Sequence, residues 1–506
     1  MFSEMLEDFT SVSQEKNKKT EKTAKTAEHN FLIASSFCLS SRKYHPYSIA
    51  HISRKSIFYM NLSSLGCRGL QCFLKNDTVS VRMISIDFSN YFVLIFLCGT
   101  AVSFLLDMIL ERIDFSFRKK HGTEIPEILS DSLDTQTLEK TCRYEDAKYR
   151  LWIPSIILEV TLSLYLVFCG FYPALFERIW SWTDNSFFAA MLFLVLGGIP
   201  GALLSLPFAL YSEFGIEKQF GFSNMTFGMW LGDELKGFLV NLIIMAPLLL
   251  IMIALFKYAS DWWWILLGCV YFVFSIAISV IYPIFIAPIF NKFTPLEDGE
   301  LKTRLEALLK KCGFKASGLF VMDASRRSGH SNAYFTGFGK SKRVVLYDTL
   351  IEQLTTEEIE AVLAHELGHY KHHHIIKKML VMIPAVFAVL FIVSFLVKMP
   401  YLYSGFGFVT GETVPYQMMF IGVFLMSLVF GEWGGLLTPI VNTFSRHDEF
   451  QADAFAKDLC GTGEPLCTAL IKLNKENLSE VQVPKIYSVF NYNHPPLLER
   501  IAALRG

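Results

Sequence analysis

His365-Glu366-Leu367-Gly368-His369 is the segment of this chain whose residue types and spacing carry chemistry most directly. On a helix, residues four apart lie on one face, so both imidazoles can reach a single Zn2+ at about 2.0–2.1 Å. Glu366, one position along, points near the same place without having to ligate. It can take a proton from a water that the metal acidifies and pass it to a leaving amine, which is hydrolytic chemistry. The surrounding run TTEEIEAVLAHELGHYKHHH reads as a helix, with Thr355 or Thr356 near its cap and acids in its first turn.

A catalytic zinc keeps three protein ligands and leaves one position for water. Glu449, in Arg446-His447-Asp448-Glu449-Phe450-Gln451-Ala452-Asp453, is the foremost candidate for the third, with His447 and Asp448 as rivals. Asp453 lies one turn later on the same face, placed to hold a ligating histidine through its other ring nitrogen. His372, His373 and His374 extend the first helix. They stand about 10 Å or more along the axis from His365, too far to share its metal, and read as a basic, solvated juxtamembrane face. Near the C-terminus, Asn493-His494-Pro495-Pro496-Leu497-Leu498-Glu499-Arg500 puts a histidine just before a helix started by proline. His494 can donate to a developing oxyanion and Arg500 can hold a carboxylate. On residue type alone, a helix cap and a surface salt bridge are the favoured reading of that pair.

The elements that must position these residues are mostly apolar. Of 506 residues, 52% are hydrophobic and 18% charged, and 46 are Phe; mean hydropathy is +0.37. Soluble chains hold about 25% charged residues, so this much apolar surface calls for lipid. The net charge of −1 argues against a nucleic-acid partner. The ten cysteines form no paired CxxC and read as small buried hydrophobes. Seven apolar stretches are long enough to cross about 30 Å of hydrocarbon: 91–110, 153–176, 187–211, 237–256, 262–286, 379–398 and 415–440.

These spans divide the chain into 83–286, with five spans, a soluble part 287–378, two further spans in 379–440, and a soluble tail 441–506. Lys and Arg number eight in 111–150, fourteen in 287–378 and seven after 441, but none in 399–414. Basic loops favour the cytosol, so the segments carrying the candidate site belong there. Twelve Lys or Arg in residues 1–82 contradict the lumenal N-terminus this topology requires. That block reads as a disordered extension without a clean signal peptide. In the soluble part, 302–312 reads as helix and 317–323, 332–336 and 343–347 as strands.

Several blocks together resemble one family. SLPFALYSEFGIEKQFGFSNMT, IYPIFIAPIFNKFTPLEDGELK, FVMDASRRSGHSNAYFTGFGKSKRVVLYDTL, SRHDEFQADAFA and NHPPLLER, in this order with HELGH and seven spans, are similar to the type I CAAX prenyl endopeptidases, integral-membrane zinc metalloproteases of the endoplasmic reticulum. The resemblance covers about residue 90 to the end. It implies a mainly α, polytopic protein with seven transmembrane helices around an intramembrane chamber, capped by a zincin-like domain. It implies one Zn2+ held by His365, His369 and Glu449, with Glu366 as base and Asp453 behind the ligands. His494 and Arg500 match transition-state and substrate residues, which reverses the reading from residue type, and Asn332 matches a substrate-aligning position. The implied reaction removes the last three residues of prenylated CAAX proteins; some members also make a second, upstream cut. Membrane lipid and prenylated protein are the implied partners, and the endoplasmic reticulum and nuclear envelope the implied locations. Residues 1–82 have no counterpart in the family, and LERIDFSFRKKHG matches it loosely. A lipid-independent quality-control protease and a non-enzymatic seven-span receptor or channel are the rival readings.

Overall fold

The computed structural model describes residues 86–314, 316–336 and 342–506. The expected disordered extension, 1–82, lies outside them. Five long helices come first: α1 Tyr91–His121, α2 Thr135–Phe168, α3 Ser186–Leu210, α4 Phe227–Tyr258 and α5 Trp263–Ile281. α6 Glu300–Lys311 and α7 Thr356–Lys371 follow, then α8 His374–Leu396 and α9 Met419–Gly434. Most of each apolar stretch falls on a long helix, and among the described residues seven helices are fit to cross a bilayer, so the protein is a multi-pass membrane protein. The first four spanning helices start at side-chain caps, Asn90, Asp134, Asn185 and Thr226, each accepting a hydrogen bond from a backbone N–H of the first turn. Such caps satisfy donors that a helix leaves orphaned at its start.

Two boundaries differ from expectation. α2 begins at Thr135, well before the apolar run at 153. At 1.5 Å per residue it is about 51 Å long, against about 30 Å of hydrocarbon, so its polar first half stands clear of the membrane. It also stops early: Gly170 takes a left-handed φ of 72° and a separate helix, Phe171–Trp180, carries the rest of that apolar run. α3 continues through a π-helical segment, Tyr211–Glu217.

The spans pack in sequence around a closed circuit: α1 on α2, α2 on α3, α3 on α4, α4 on α5, α5 on α8, α8 on α9, and α9 back on α1. Helices about 9.5 Å apart on centres, seven to a ring, stand about 11 Å from its axis. An ideal even ring of such helices, as cylinders about 10 Å across, would enclose about 12 Å. The spanning helices carry large apolar side chains in the open, such as Ile243, Val273 and Leu380, as contact with lipid requires. Cys98, Cys169 and Cys269 are also exposed on or beside these helices, and Cys467 alone among the described cysteines is buried. The expectation of small buried hydrophobes is corrected accordingly: an apolar neighbourhood in a spanning helix does not imply burial in protein.

Outside the spans, β1 Phe293–Pro295, β2 Leu319–Met322, β3 Ala333–Thr336 and β4 Arg343–Tyr347 form one sheet in the order β1-β2-β4-β3. β2 runs parallel to β4; the other two pairs are antiparallel, which leaves β3 at an edge. The sheet and α6, α7, α11 Glu464–Glu476 and α13 Leu497–Arg505 share a core with Leu305, Met322, Leu346, Leu363, Leu367, Cys467 and Ile501 at its centre. α10 Thr438–Cys460 continues almost directly from α9, and α12 Lys485–Asn491 precedes α13.

Candidate metal centre

α7 opens with a capping box. Thr355 Oγ1 accepts from Glu358 N at 3.3 Å, and Glu358 Oε2 accepts from Thr355 N at 2.7 Å. Lys472 pairs with the same Glu358 oxygen at 2.8 Å. The helix thus starts at the predicted place and buries Ile359, Leu363 and Leu367 in the core. Its next contact is with α10. A Cβ on Gly368 would meet Ala452 Cα at 2.8 Å and its carbonyl oxygen at 3.0 Å. Only glycine lets the two backbones approach so closely, and this approach sets the α10 carboxylates beside the α7 histidines.

His365 Nε2 and His369 Nε2 lie 3.2 Å apart. Glu449 Oε2 is 3.4 Å from the first and Oε1 is 3.2 Å from the second. Ligands about 2.0–2.1 Å from a tetrahedral metal stand about 3.3–3.4 Å from one another, so these donors fit a small divalent cation. Glu449 is buried and its Oε2 makes no hydrogen bond, as suits an atom aimed at a cation. His365, His369 and Glu449 are the one group of three such donors among the described residues. His447 and Asp448, the rivals for the third position, are not in it. His447 is exposed, next to Gln451, and Asp448 faces His374 and Lys378.

Behind His365, Nδ1 donates to Asp453 Oδ1 at 2.7 Å. Arg500 grips the same carboxylate twice, Nε to Oδ2 at 2.8 Å and Nη2 to Oδ1 at 2.6 Å. Arg500 is buried, so its ion pair is internal, not the surface salt bridge that residue type suggested. Burial opposes a charged His365, but the neighbouring carboxylates of Asp453 and Glu449 outweigh it and push the group up to about 9. Such a site attracts positive charge, and a cation can take the proton's place. Glu366 is half-buried, and desolvation raises its pKa against the pull of His365 and His369.

His494 Nε2 approaches Glu449 Oε1 at 3.5 Å. It caps nothing: α13 begins after Pro496. Its side chain is 57% exposed, yet the surrounding protein desolvates it and lowers its pKa against the attraction of Glu449. An open surface with protein on all sides describes a concave site. Arg446, unassigned on sequence, holds this segment: its Nη1 donates to the carbonyls of Ser488 at 3.2 Å and Tyr492 at 3.1 Å. Asn332 stands apart. Its Oδ1 accepts from Ala333 N at 2.8 Å and its carbonyl from Tyr347 N at 3.1 Å, at the head of the edge strand β3, which packs along α7.

The histidine run departs from expectation. α7 ends at Lys371, His373 is left-handed with φ 55°, and His374 starts α8. The reversal puts His374 inside the protein, 1% exposed, against His369; it is no solvated face. Neither Gly nor Pro marks the break, so nothing in the run itself announced it.

Residues 114–292 match the CAAX prenyl protease N-terminal family, described by five membrane helices, and residues 295–506 match peptidase family M48. CAAX prenyl protease 1 of Saccharomyces cerevisiae is 35% identical over 411 residues, 77% of this chain and 90% of its own. CAAX prenyl protease 1 homolog of Homo sapiens is 33% identical over 432 residues, 76% of this chain and 90% of its own. The crystal structure of S. mikatae Ste24p superposes with a TM-score of 0.76 at 33% identity, covering 82% of this chain and 99% of that one.

Proposed function

The chain belongs to the CAAX prenyl protease 1 family of M48 metallopeptidases, and from that premise we propose that it removes the last three residues of prenylated CAAX proteins at a zinc centre held by His365, His369 and Glu449. It is a membrane metalloendopeptidase that processes prenylated proteins; the metal, the site roles and the cut are the proposal. The observation that carries them is the donor cluster, with the two imidazole Nε2 atoms 3.2 Å apart and Glu449 Oε2 and Oε1 at 3.4 and 3.2 Å from them, backed by Asp453 and Arg500. Two imidazoles and a carboxylate are a zinc donor set. Zn2+, when bound, supplies an acidified water and polarises the scissile carbonyl.

The chain's own groups do the rest. Glu366 accepts the water's proton on its carboxylate and delivers it to the leaving amine; its raised pKa suits both acts. His494, facing open space beside Glu449, donates to the developing oxyanion. Arg500 holds Asp453, and Asp453 holds the His365 ring. Asn332, at the edge strand beside α7, aligns the substrate backbone. The basic counts of 287–378 and of the tail favour catalysis on the cytosolic face of the endoplasmic reticulum and nuclear envelope. A prenyl chain needs lipid and peptide hydrolysis needs water, and a ring of helices around a polar interior can serve both.

The test pairs a farnesylated CAAX peptide with its unprenylated twin, each with and without chelator. Chelator-sensitive release of the tripeptide from the farnesylated peptide alone is expected. Equal cleavage of both peptides points to a lipid-independent protease and overturns the substrate assignment.

A further inference from the structure

His374 Nδ1 lies 2.9 Å from His369 Nδ1. Its other nitrogen, Nε2, lies 2.9 Å from Gln451 Oε1 and 3.6 Å from Asp448 Oδ1. Gln451 Nε2 in turn lies 2.9 Å from Nε2 of the exposed His447. Two ring nitrogens at that distance need one proton between them, so the tautomers of His369 and His374 are tied together. For His369 Nε2 to offer its lone pair toward Glu449 and His365, its proton must sit on Nδ1. His374 Nδ1 then accepts, and the His374 proton sits on Nε2. There it faces the oxygens of Gln451 and Asp448, the second an acceptor whichever way the amide is turned. The Gln451 amide nitrogen finally donates to His447. Every donor meets an acceptor in this direction. In the other direction the proton moves to His369 Nε2, where it blocks ligation, and the His374 Nε2 lone pair faces oxygens.

We propose that His374 is a positioning residue that locks His369 in its metal-binding tautomer through the relay His369–His374–Gln451–His447. This rests on reading His369 as a ligand. The two histidines are then supported differently: His365 leans on the carboxylate of Asp453, and His369 on a neutral imidazole. The left-handed turn at His373 is unfavourable in a residue other than glycine, and its effect is to fold His374 back beneath His369. Partners of this kind change metal affinity about 10–100-fold.

The test uses the full chain in detergent and reads Zn2+ affinity by chelator competition, with the melting temperature of the metal-free protein alongside. His374→Phe keeps a ring and loses the acceptor; His374→Asn keeps an oxygen near the Nδ1 position. The relay predicts that His374→Phe binds Zn2+ about 10–100-fold more weakly, that His374→Asn stays within roughly threefold of the parent, and that both melt like the parent when metal-free. Parent-like affinity in His374→Phe, or equal weakening in both variants, overturns it. Should His374→Phe not fold, the double variant Gln451→Met with Asp448→Ala, which removes both acceptors facing His374 Nε2, carries the test: weakened affinity supports the relay and unchanged affinity overturns it. Glu449→Ala separates the two readings. Loss of Zn2+ there with normal binding in the His374 variants refutes the relay alone, and retention of Zn2+ in Glu449→Ala refutes the metal centre beneath it.

Discussion

Glu366 sits between two histidines that need its charge nearby and a protein interior that disfavours it. Glutamine keeps its shape and its hydrogen-bonding capacity but cannot accept a proton. Glu366→Gln is therefore expected to bind metal in parent amounts and to lose about 10^2–10^4-fold in kcat on a farnesylated CAAX peptide. Metal content and turnover measured on the same preparation check it, and parent-like turnover sinks the assignment of the base. At this scale the sequence spoke through residue types with fixed spacing: His365, Glu366 and His369 sit on one helix, and Glu449 and Asp453 one turn apart on another. Residues whose role depends on the packing of two segments were silent. Arg446 reaches the Ser488 and Tyr492 carbonyls across 42 and 46 residues of chain, and His374 counts only because of one left-handed turn.

Two elements, α7 and α10, hold the site, and their separation is set by Gly368 on Ala452. Gly368→Ala gains helix propensity, yet its methyl meets backbone, which cannot rotate away. A loss of about 1–3 kcal/mol in stability is expected, together with weakened metal binding, because the Glu449 carboxylate moves with α10. Thermal unfolding with and without metal measures both, and a variant as stable as the parent refutes the tight crossing. The start of α7 carries a pH dependence. Burial works against the Glu358 charge, but Lys472 and the Thr355 N–H hold its carboxyl below the ordinary 4.5. A depressed carboxylate contributes stability that is fully present above its unfolded value and fades as pH falls through the folded one. The melting-temperature gap between parent and Glu358→Gln should thus be widest near neutral pH and narrow as pH falls below the ordinary 4.5; a gap that widens with acid contradicts it. Spanning helices were legible because each apolar run exceeds the membrane's thickness, and β4 was legible to the residue in Arg343–Tyr347. The three-residue β1 was too short to show a period, and the polar first half of α2 carried no apolar signal.

Across the whole molecule, buried ion pairs tie span ends to the catalytic part. Arg327 reaches Asp233 at the start of α4, Nε to Oδ2 at 2.9 Å, and Asn291 at 2.9 Å. Arg118, near the end of α1, is salt-bridged to Asp114, Asp146 and Glu480. Arg327→Met removes the first of these ties while Asp233 keeps its pair with Lys236 at 3.2 Å, so it should cost about 1–3 kcal/mol, read as a lowered melting temperature in detergent. An unchanged melting temperature counts against the tie. The closed circuit of spans has a consequence for what can be cut. A ring of that ideal width would pass an extended chain, an α-helix of about 10–12 Å would fill it, and a folded domain of 100 residues, with a radius of gyration of about 13 Å, would be excluded. Such a ring would work as a mesh, selecting substrates by the looseness and length of their tails before any residue of the site reads a side chain.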